Sequence, residues 1–595
     1  MKNLYLLIVA ILSGAFAFAQ QVPRPEYPRP QFVRNDWVNL NGTWTYALDQ
    51  GDSGLERGLT ASKGFPGKIT VPFCPESKLS GVGYTDFINA MWYHKNISIP
   101  IGWKDKKILL HFGGVDYRCD AYIDSQLVAT HFGGTSAFTF DITSFVKAGS
   151  SHNLVLSIKD DTRSGIQPLG KQAYKYNSSG ARYTRTTGIW QTVWMEAAAP
   201  LGLESCKIIP DLDQSRFTVM PAFFAFRGQR LRVTVKDGDR IAGQQTIPAS
   251  NSAMAVIELE NIKPWSPENP FLYDFILEVL DMNGEVIDKV TSYAGMRKVH
   301  IQDGWVYLNN QPRYLRFVLD QGFYPDGIWT APTDEAMKHD IELSMQAGFN
   351  GARLHQKIFE ERFHYWADKM GYLTWAEAAD WGGDRTKQLT MKNITEEWIE
   401  TVQQRINHPS IIGWTPLNEL WITDETEYPR FNEGIYNLTK ALDQTRPIIT
   451  AAGGEIYKAD IWSVHDYSQD ATTFGQKLQL KTGKFDFSQY HISKKARYEG
   501  QPIMVSEYGG IKWLSDQKYA GSWGYGKGPK SLDEFYSRLE LLTGTILKSK
   551  HITGYCFTQL TDVEQEQNGI YTYDRRPKFD MKKVRKVFSA IPSNK

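Results

Sequence analysis

Two glutamates each end an apolar run: Glu419 in Gly413-Trp414-Thr415-Pro416-Leu417-Asn418-Glu419, and Glu507 in Pro502-Ile503-Met504-Val505-Ser506-Glu507-Tyr508-Gly509. Cleaving a glycosidic bond needs one carboxyl group to protonate the leaving oxygen and a second to attack or stabilise the anomeric carbon, and two glutamates at strand ends match that need. In the retaining form of the chemistry the two groups stand roughly 5–5.5 Å apart. Asn418, beside the first glutamate, can hydrogen-bond a sugar hydroxyl next to the reacting carbon, where such bonds strengthen as charge develops. Arg353 can keep a nearby carboxylate ionised, and His355, two residues on, points to the same side of a strand and suits a hydroxyl contact. His465-Asp466-Tyr467 adds an imidazole and a phenol, and Tyr467 can donate to an attacking carboxylate. Each residue also has a structural reading: the histidines as core groups, Arg353 as an ion-pair partner, and the Asn-Glu pair as a common strand end. The combination, with a second glutamate three strands on, is what points to catalysis.

The elements that must position these groups lie beyond about residue 300, where short apolar runs alternate with helical stretches. Runs at 314–318, 349–353, 372–375, 411–415, 448–450, 461–464, 503–505 and 554–557 predict eight strands, and 333–347 and 531–547 read as helices with acidic first turns. Eight parallel strands with intervening helices close into a (β/α)8 TIM barrel whose site forms at the C-terminal strand ends. Glu419 then follows the fourth strand and Glu507 the seventh, nearly opposite each other across the mouth. Asp320 after the first strand, Trp381 after the third and the 558–562 segment after the eighth are expected to line the pocket. Residues 20–200 carry short alternating runs separated by Gly, Asn and Asp, the pattern of an all-β sandwich. Residues 201–299 suit a small immunoglobulin-like β-sandwich, and 300–595 form the catalytic barrel.

Composition narrows the ligand. The chain has 595 residues and balances 67 Lys and Arg against 66 Asp and Glu, which gives no electrostatic reason to expect nucleic acid or an anionic membrane as partner. Eighteen Trp supply flat apolar faces for sugar rings, although most aromatic side chains serve cores. Residues 1–19 read as a secretory signal peptide: Lys2, an apolar stretch from Leu4 to Leu12, then Ala17-Phe18-Ala19 before Gln20. The expected location is therefore outside the cytoplasm, periplasmic or extracellular, with no membrane anchor after cleavage. Cys74, Cys119, Cys206 and Cys556 have neither the spacing of a zinc site nor the density of a disulfide scaffold, so no metal or other cofactor is expected. No sequence feature specifies an oligomeric state.

Several segments resemble glycoside hydrolase family 2, the family of β-galactosidases, β-glucuronidases and β-mannosidases. They are Phe112-Gly113-Gly114-Val115-Asp116-Tyr117, Gly133-Gly134-Thr135 through Asp141-Ile142-Thr143, Thr187-Gly188-Ile189-Trp190, Asn407-His408-Pro409 leading to Glu419, and Val505-Ser506-Glu507-Tyr508-Gly509. The resemblance implies an N-terminal jelly-roll sandwich, an immunoglobulin-like domain and a catalytic barrel. It further implies that Glu507 attacks the anomeric carbon and that Glu419 is the acid/base, which calls for a raised Glu419 pKa. Where β-glucuronidases carry an Asn-x-Lys clamp for the sugar carboxylate, this chain has Glu566-Gln567-Asn568, which disfavours a uronic acid by charge. Phe557 stands where many relatives have Trp, which is expected to alter the pocket floor. No acidic metal-ligand set like that of the largest β-galactosidases is evident. The expected activity is exo-hydrolysis of terminal β-linked sugars on a glycoside or oligosaccharide, β-galactosides first. The alternatives are an α-L-arabinopyranoside, a β-glucuronide, or a catalytically silent carbohydrate-binding protein.

Overall fold

The computed structural model describes residues 22–420, 426–481, 483–490, 498–514 and 519–592. The stretch read as a secretory signal lies outside the described residues. Near the N-terminus a six-stranded antiparallel sheet, with Ala90–Ser98 and Ser151–Lys159 at its centre, faces a four-stranded sheet containing Lys107–Phe112 and Val193–Ala198. The alternating runs bury one face of each sheet, and Trp44, Met91, Leu110, Phe112, Leu154 and Leu156 fill the space between. Next come a three-stranded sheet built on Leu203–Asp211 and Arg216–Phe223 and a four-stranded one built on Arg230–Asp237 and Tyr273–Leu280. They close over Phe217, Val233, Phe275 and Leu277 in an immunoglobulin-like sandwich.

The barrel strands are β1 (Leu315–Asp320), β2 (Gly351–Leu354), β3 (Leu373–Glu377), β4 (Ile411–Thr415), β5 (Ala451–Ala452), β6 (Trp462–Asp466), β7 (Ile503–Gly509) and β8 (Ile552–Thr558). A parallel ladder runs β4-β3-β2-β1-β8-β7-β6. β5 closes the ring by pairing with Leu417–Asn418, just past β4, while Gly453 N donates to Ser463 Oγ of β6 at 3.2 Å. Helices α1 (Asp334–Ala347), α2 (Glu361–Met370), α3 (Gln388–Arg405), α4 (Glu427–Leu442), α5 (Ala471–Leu478), α6 (Leu532–Lys548) and α7 (Met581–Phe588) surround it. The Thr333 and Ser531 hydroxyls cap α1 and α6 by accepting from Ala336 N and Glu534 N. One βα unit departs from the expected pattern, because residues 453–461 between β5 and β6 form no helix. That link is shorter than the dozen or so residues a helical crossover needs.

Side chains divide by strand face. Phe317, Leu319, Leu373, Trp375, Ile412, Ile461, Met504 and Cys556 fill the barrel interior, while Val318, Trp414, Val464, Val505 and Phe557 pack outward under the helices. Register shifts reset this alternation on β4, β7 and β8, the last leaving Thr553 as an extra residue. On β4, Thr374 pairs with Ile411 and Trp375 with Gly413, which leaves Ile412 as an extra residue. On β7, Val464 pairs with Val505 and His465 with Glu507, which leaves Ser506 extra. A bulge re-aims every side chain after it. Without the Ser506 bulge, Glu507 would follow Ile503 and Val505 to the outer face.

Gly413 lies against the Trp375 indole, where an added Cβ would come within 2.4 Å of ring atoms. Gly413→Ala is therefore expected to destabilise the fold by about 1–3 kcal/mol through overpacking of the barrel interior, read as a lowered midpoint in denaturant unfolding. An unchanged midpoint would contradict this packing.

Candidate active site

Above the apolar interior, the strand ends carry a polar layer gathered around one guanidinium. Arg353, at 1% exposure, closes on β2. Its Nε donates to Glu377 Oε2 at 2.5 Å, its Nη2 to Asn418 Oδ1 at 2.6 Å, and its Nη1 to Glu507 Oε1 at 2.9 Å and Ser506 O at 3.1 Å. Nη1 also faces His465 Nε2 at 3.3 Å. A guanidinium can only donate, so Nε2 is the acceptor and His465 Nδ1 carries the proton. That Nδ1–H points at Glu419 Oε1, 2.7 Å away, with Glu507 Oε2 at 3.4 Å. The Tyr467 hydroxyl donates to Glu507 Oε2 and lies 3.1 Å from Thr558 Oγ1. The Tyr467 ring stacks on Tyr525 with centroids 3.4 Å apart.

Glu419, Glu507 and His465 each present a donor atom within 4.8 Å of the others. Carboxylate oxygens that close place the pair on the side of retaining enzymes, at roughly 5–5.5 Å, rather than that of inverting pairs at roughly 6.5–9.5 Å. Among the described residues these three groups are also the donor set that could hold a cation, although Arg353 and Tyr467 already occupy lone pairs of Glu507. The two carboxylates differ in access: the Glu419 side chain is 23% exposed and that of Glu507 is 5%. Glu419 reaches its position through a left-handed backbone, φ 45°, unusual for a residue with a Cβ. Glu419 N donating to Ala452 O at 2.9 Å and Glu455 N donating to Leu420 O at 3.1 Å hold that turn.

Burial pushes the Glu507 carboxyl up, but His465 and Arg353 outweigh it and leave the group below the ordinary carboxylate value. For Glu419, burial again acts upward, yet the hydrogen bond from His465 and the nearby Lys171 and Arg353 leave it lowered as well. The acid/base role calls for a raised Glu419 pKa, whereas the His465 contact has the opposite effect. His355 is buried with Nδ1 2.8 Å from Glu377 Oε1, without the alignment of a hydrogen bond, and burial beside Lys171 and Arg353 holds it well below its ordinary value.

Asn418, Arg353, His355, His465, Tyr467 and both glutamates thus converge on one mouth. Trp381 joins them, its indole Nε1 donating to Asn418 O at 3.2 Å. Two expected pocket residues do not. Asp320 follows Val318 to the outer face of β1, where its Oδ1 accepts from Gly322 N, and burial with Asp340 nearby raises it to about 7. Phe557 also faces outward, packed on Phe588 and Tyr508, so it does not floor the pocket. Glu377 was missed, although it too is an acidic residue ending an apolar run. Tyr525, Tyr183 and Lys171 have no local sequence signal, because only the fold brings their segments to the mouth, whereas Glu566 is marked by its place in the segment matching the Asn-x-Lys clamp. A cavity of about 930 Å³ lies elsewhere, between the first two domains and the helical side of the barrel. A cavity of about 450 Å³ opens at the end of β6 and includes His465 and Tyr467.

Three family models match the chain: "Glycosyl hydrolases family 2, sugar binding domain" over residues 82–178, "Glycosyl hydrolases family 2" over 226–297, and "Glycosyl hydrolases family 2, TIM barrel domain" over 299–593. Among curated relatives, a β-galactosidase of Thermoanaerobacter pseudethanolicus is 24% identical over 446 residues, covering 72% of this chain and 56% of the relative. A β-glucuronidase of Bacteroides fragilis is 27% identical over 444 residues, 70% of this chain and 61% of the relative. The match thus spans little more than half the length of these relatives. The solved β-glucuronidase from Ruminococcus gnavus in complex with D-glucuronic acid superposes with a TM-score of 0.77 at 18% identity, covering 95% of this chain and all of that one.

The His465 contact makes a direct prediction. Isotope-edited NMR titration should find the Glu419 and Glu507 carboxyls both titrating below the ordinary 4.5. His465→Asn removes a group that stabilises both anions, so both titrations should move to higher pH; unmoved titrations would refute the assigned electrostatics.

Proposed function

The chain belongs to glycoside hydrolase family 2, and from that premise we propose that it is an exported, retaining exo-glycosidase that releases terminal β-linked sugars, β-galactosides first, by double displacement. The observation that carries this reading is the pair Glu419 and Glu507, with carboxylate oxygens within 4.8 Å of each other at the mouth of the barrel. In the first step Glu507 attacks the anomeric carbon as the bond to the leaving oxygen breaks and Glu419 transfers its proton to that oxygen. In the second, Glu419 takes a proton from water, whose oxygen displaces Glu507 and gives the free sugar with its configuration retained.

The surroundings suit these roles. Arg353 and Tyr467 each engage one oxygen of Glu507, which keeps the attacking carboxylate ionised and oriented. Glu419, more exposed, faces the side from which an aglycone and then water arrive. A sugar seated between the carboxylates strips water from Glu419 and favours its protonated form, while glycosylation of Glu507 removes a neighbouring negative charge and favours its return to base. Asn418 Nδ2 has no partner among the described residues and is available to the hydroxyl beside the reacting carbon. Export rests on the N-terminal leader pattern.

A β-glucuronide is the second reading, favoured by the β-glucuronidases among the relatives. Against it stand the buried carboxylates of Glu377, Glu507 and Glu566 and the more exposed one of Glu419 around the mouth, since Arg353 is already committed to Glu377 and Glu507. Purified protein should be assayed on nitrophenyl β-galactoside, α-L-arabinopyranoside, β-glucuronide and β-mannoside. Turnover of the galactoside is expected, with Glu507→Ala slower by about 10⁴-fold or more. Glu419→Ala should regain rate on the activated substrate when azide is added. Silence of the native protein on every glycoside would favour a binding protein, and full activity of Glu507→Ala would end the mechanism.

A further inference from the structure

The N-terminal sandwich sends a loop into the barrel mouth. Leu169 N donates to Trp381 O at 2.7 Å and Gly170 N to Ala379 O at 3.1 Å, which seats residues 169–170 on the segment after β3. Gly170 has φ 58°, and a Cβ there would lie 2.3 Å from Gln356 O, so the close approach requires glycine. The next residue, Lys171, is 6% exposed and places its ammonium 3.9 Å from the centre of the Trp381 ring. Among the described residues that ammonium donates no hydrogen bond, so its N–H groups are available at the mouth. Tyr183, whose N donates to Lys171 O at 2.8 Å, donates its own hydroxyl to Glu566 Oε2 at 2.6 Å, and Asn568 Nδ2 donates to Glu566 Oε1 at 3.2 Å.

Building on the glycosidase reading above, we propose that Lys171 and Glu566 are a donor–acceptor pair that grips one hydroxyl of a neutral terminal sugar, so that the N-terminal domain sets specificity. A hydroxyl can accept from an ammonium and donate to a carboxylate at once, which suits a cation and an anion held at one mouth. An anionic substituent would gain Lys171 but meet Glu566, Glu507 and Glu419. The electrostatics agree: burial lowers the Lys171 pKa, and the charges of Glu566, Glu507 and Glu419, in that order, oppose the shift.

The test uses Lys171→Met, which keeps the stem on Trp381 while removing the charge, together with Glu566→Gln. Both are measured on a nitrophenyl glycoside that the native protein turns over and on its 2-, 3-, 4- and 6-deoxy analogues, with a thermal melt to confirm folding. Lys171→Met should lower kcat/KM on the parent by about 10- to 100-fold, the scale of a hydrogen bond to a charged group. On one deoxy analogue it should cost nothing further, and Glu566→Gln should be insensitive on that same analogue. Equal losses on every analogue would overturn the pair as a hydroxyl reader. Turnover confined to the glucuronide and lost in Lys171→Met would assign Lys171 to an anion and overturn the neutral-sugar inference while leaving the glycosidase reading intact. Absence of turnover on any glycoside would defeat both.

Discussion

Arg353 presents the five N–H donors of a guanidinium at the end of β2, and the site is the set of acceptors that satisfy them. Glu377 from β3, Asn418 beyond β4, and Ser506 and Glu507 from β7 are all within 3.1 Å of it. A buried cation of this kind is tolerated only when its partners are fixed, and removing one partner from such a group costs about 3–5 kcal/mol. The guanidinium therefore ties three strands to one geometry. Its planar fork sets Asn418 and Glu507 relative to each other, and His465, accepting from it on one nitrogen, is left with its proton aimed at Glu419. The orientation of both carboxylates follows from this one charge.

The barrel supplies acceptors at the right places by breaking its own alternation. β4 and β7 each carry one extra residue, Ile412 and Ser506, and beyond each bulge the inward face changes. On β7 the extra residue also turns the Ser506 carbonyl toward Arg353. The left-handed backbone at Glu419 is a third irregularity, held by hydrogen bonds to the segment after β5. These departures from regular strands coincide with the chemistry, as expected where local strain is maintained by the surrounding structure. Outside the barrel, Glu397 on α3 accepts from Thr135 N at 2.6 Å and Trp265 Nε1 donates to Asp368 O at 2.7 Å, which locks the two sandwiches against the helices.

The plan of two β-sandwiches followed by a barrel was legible because periodicity changes sharply near residue 300 and because the apolar runs are separated by clear turn residues. The two glutamates, Asn418, Arg353, His465 and Tyr467 were legible as polar residues ending apolar runs. Strand-face arithmetic succeeds at some positions and fails at others. Asp320 and Phe557 lie on the outer faces of β1 and β8, and counting from Val318 or Cys556 would have placed them there. Counting from Val505 would have misplaced Glu507, because nothing in Val505-Ser506-Glu507 announces a bulge. The missing helix between β5 and β6 was likewise hidden, since the expected fifth strand ended before Ala451 and Ala452. Lys171 and Tyr183 depend on contacts between domains, which local patterns do not encode. The lowering of the Glu419 carboxyl was not legible either, because it depends on the hydrogen bond from His465, which only the fold brings beside it.

The central claim is that Glu507, held by Arg353 and Tyr467, forms a bond to the anomeric carbon while Glu419 handles the proton. The most direct test is to incubate the protein with a 2-deoxy-2-fluoro glycosyl fluoride of the sugar it turns over, which slows release of the covalent intermediate, and to map the adduct by peptide mass spectrometry. This account predicts one glycosyl unit per chain, attached to Glu507. An adduct on another residue, or no adduct together with release of the inverted anomer from the natural substrate, would contradict it.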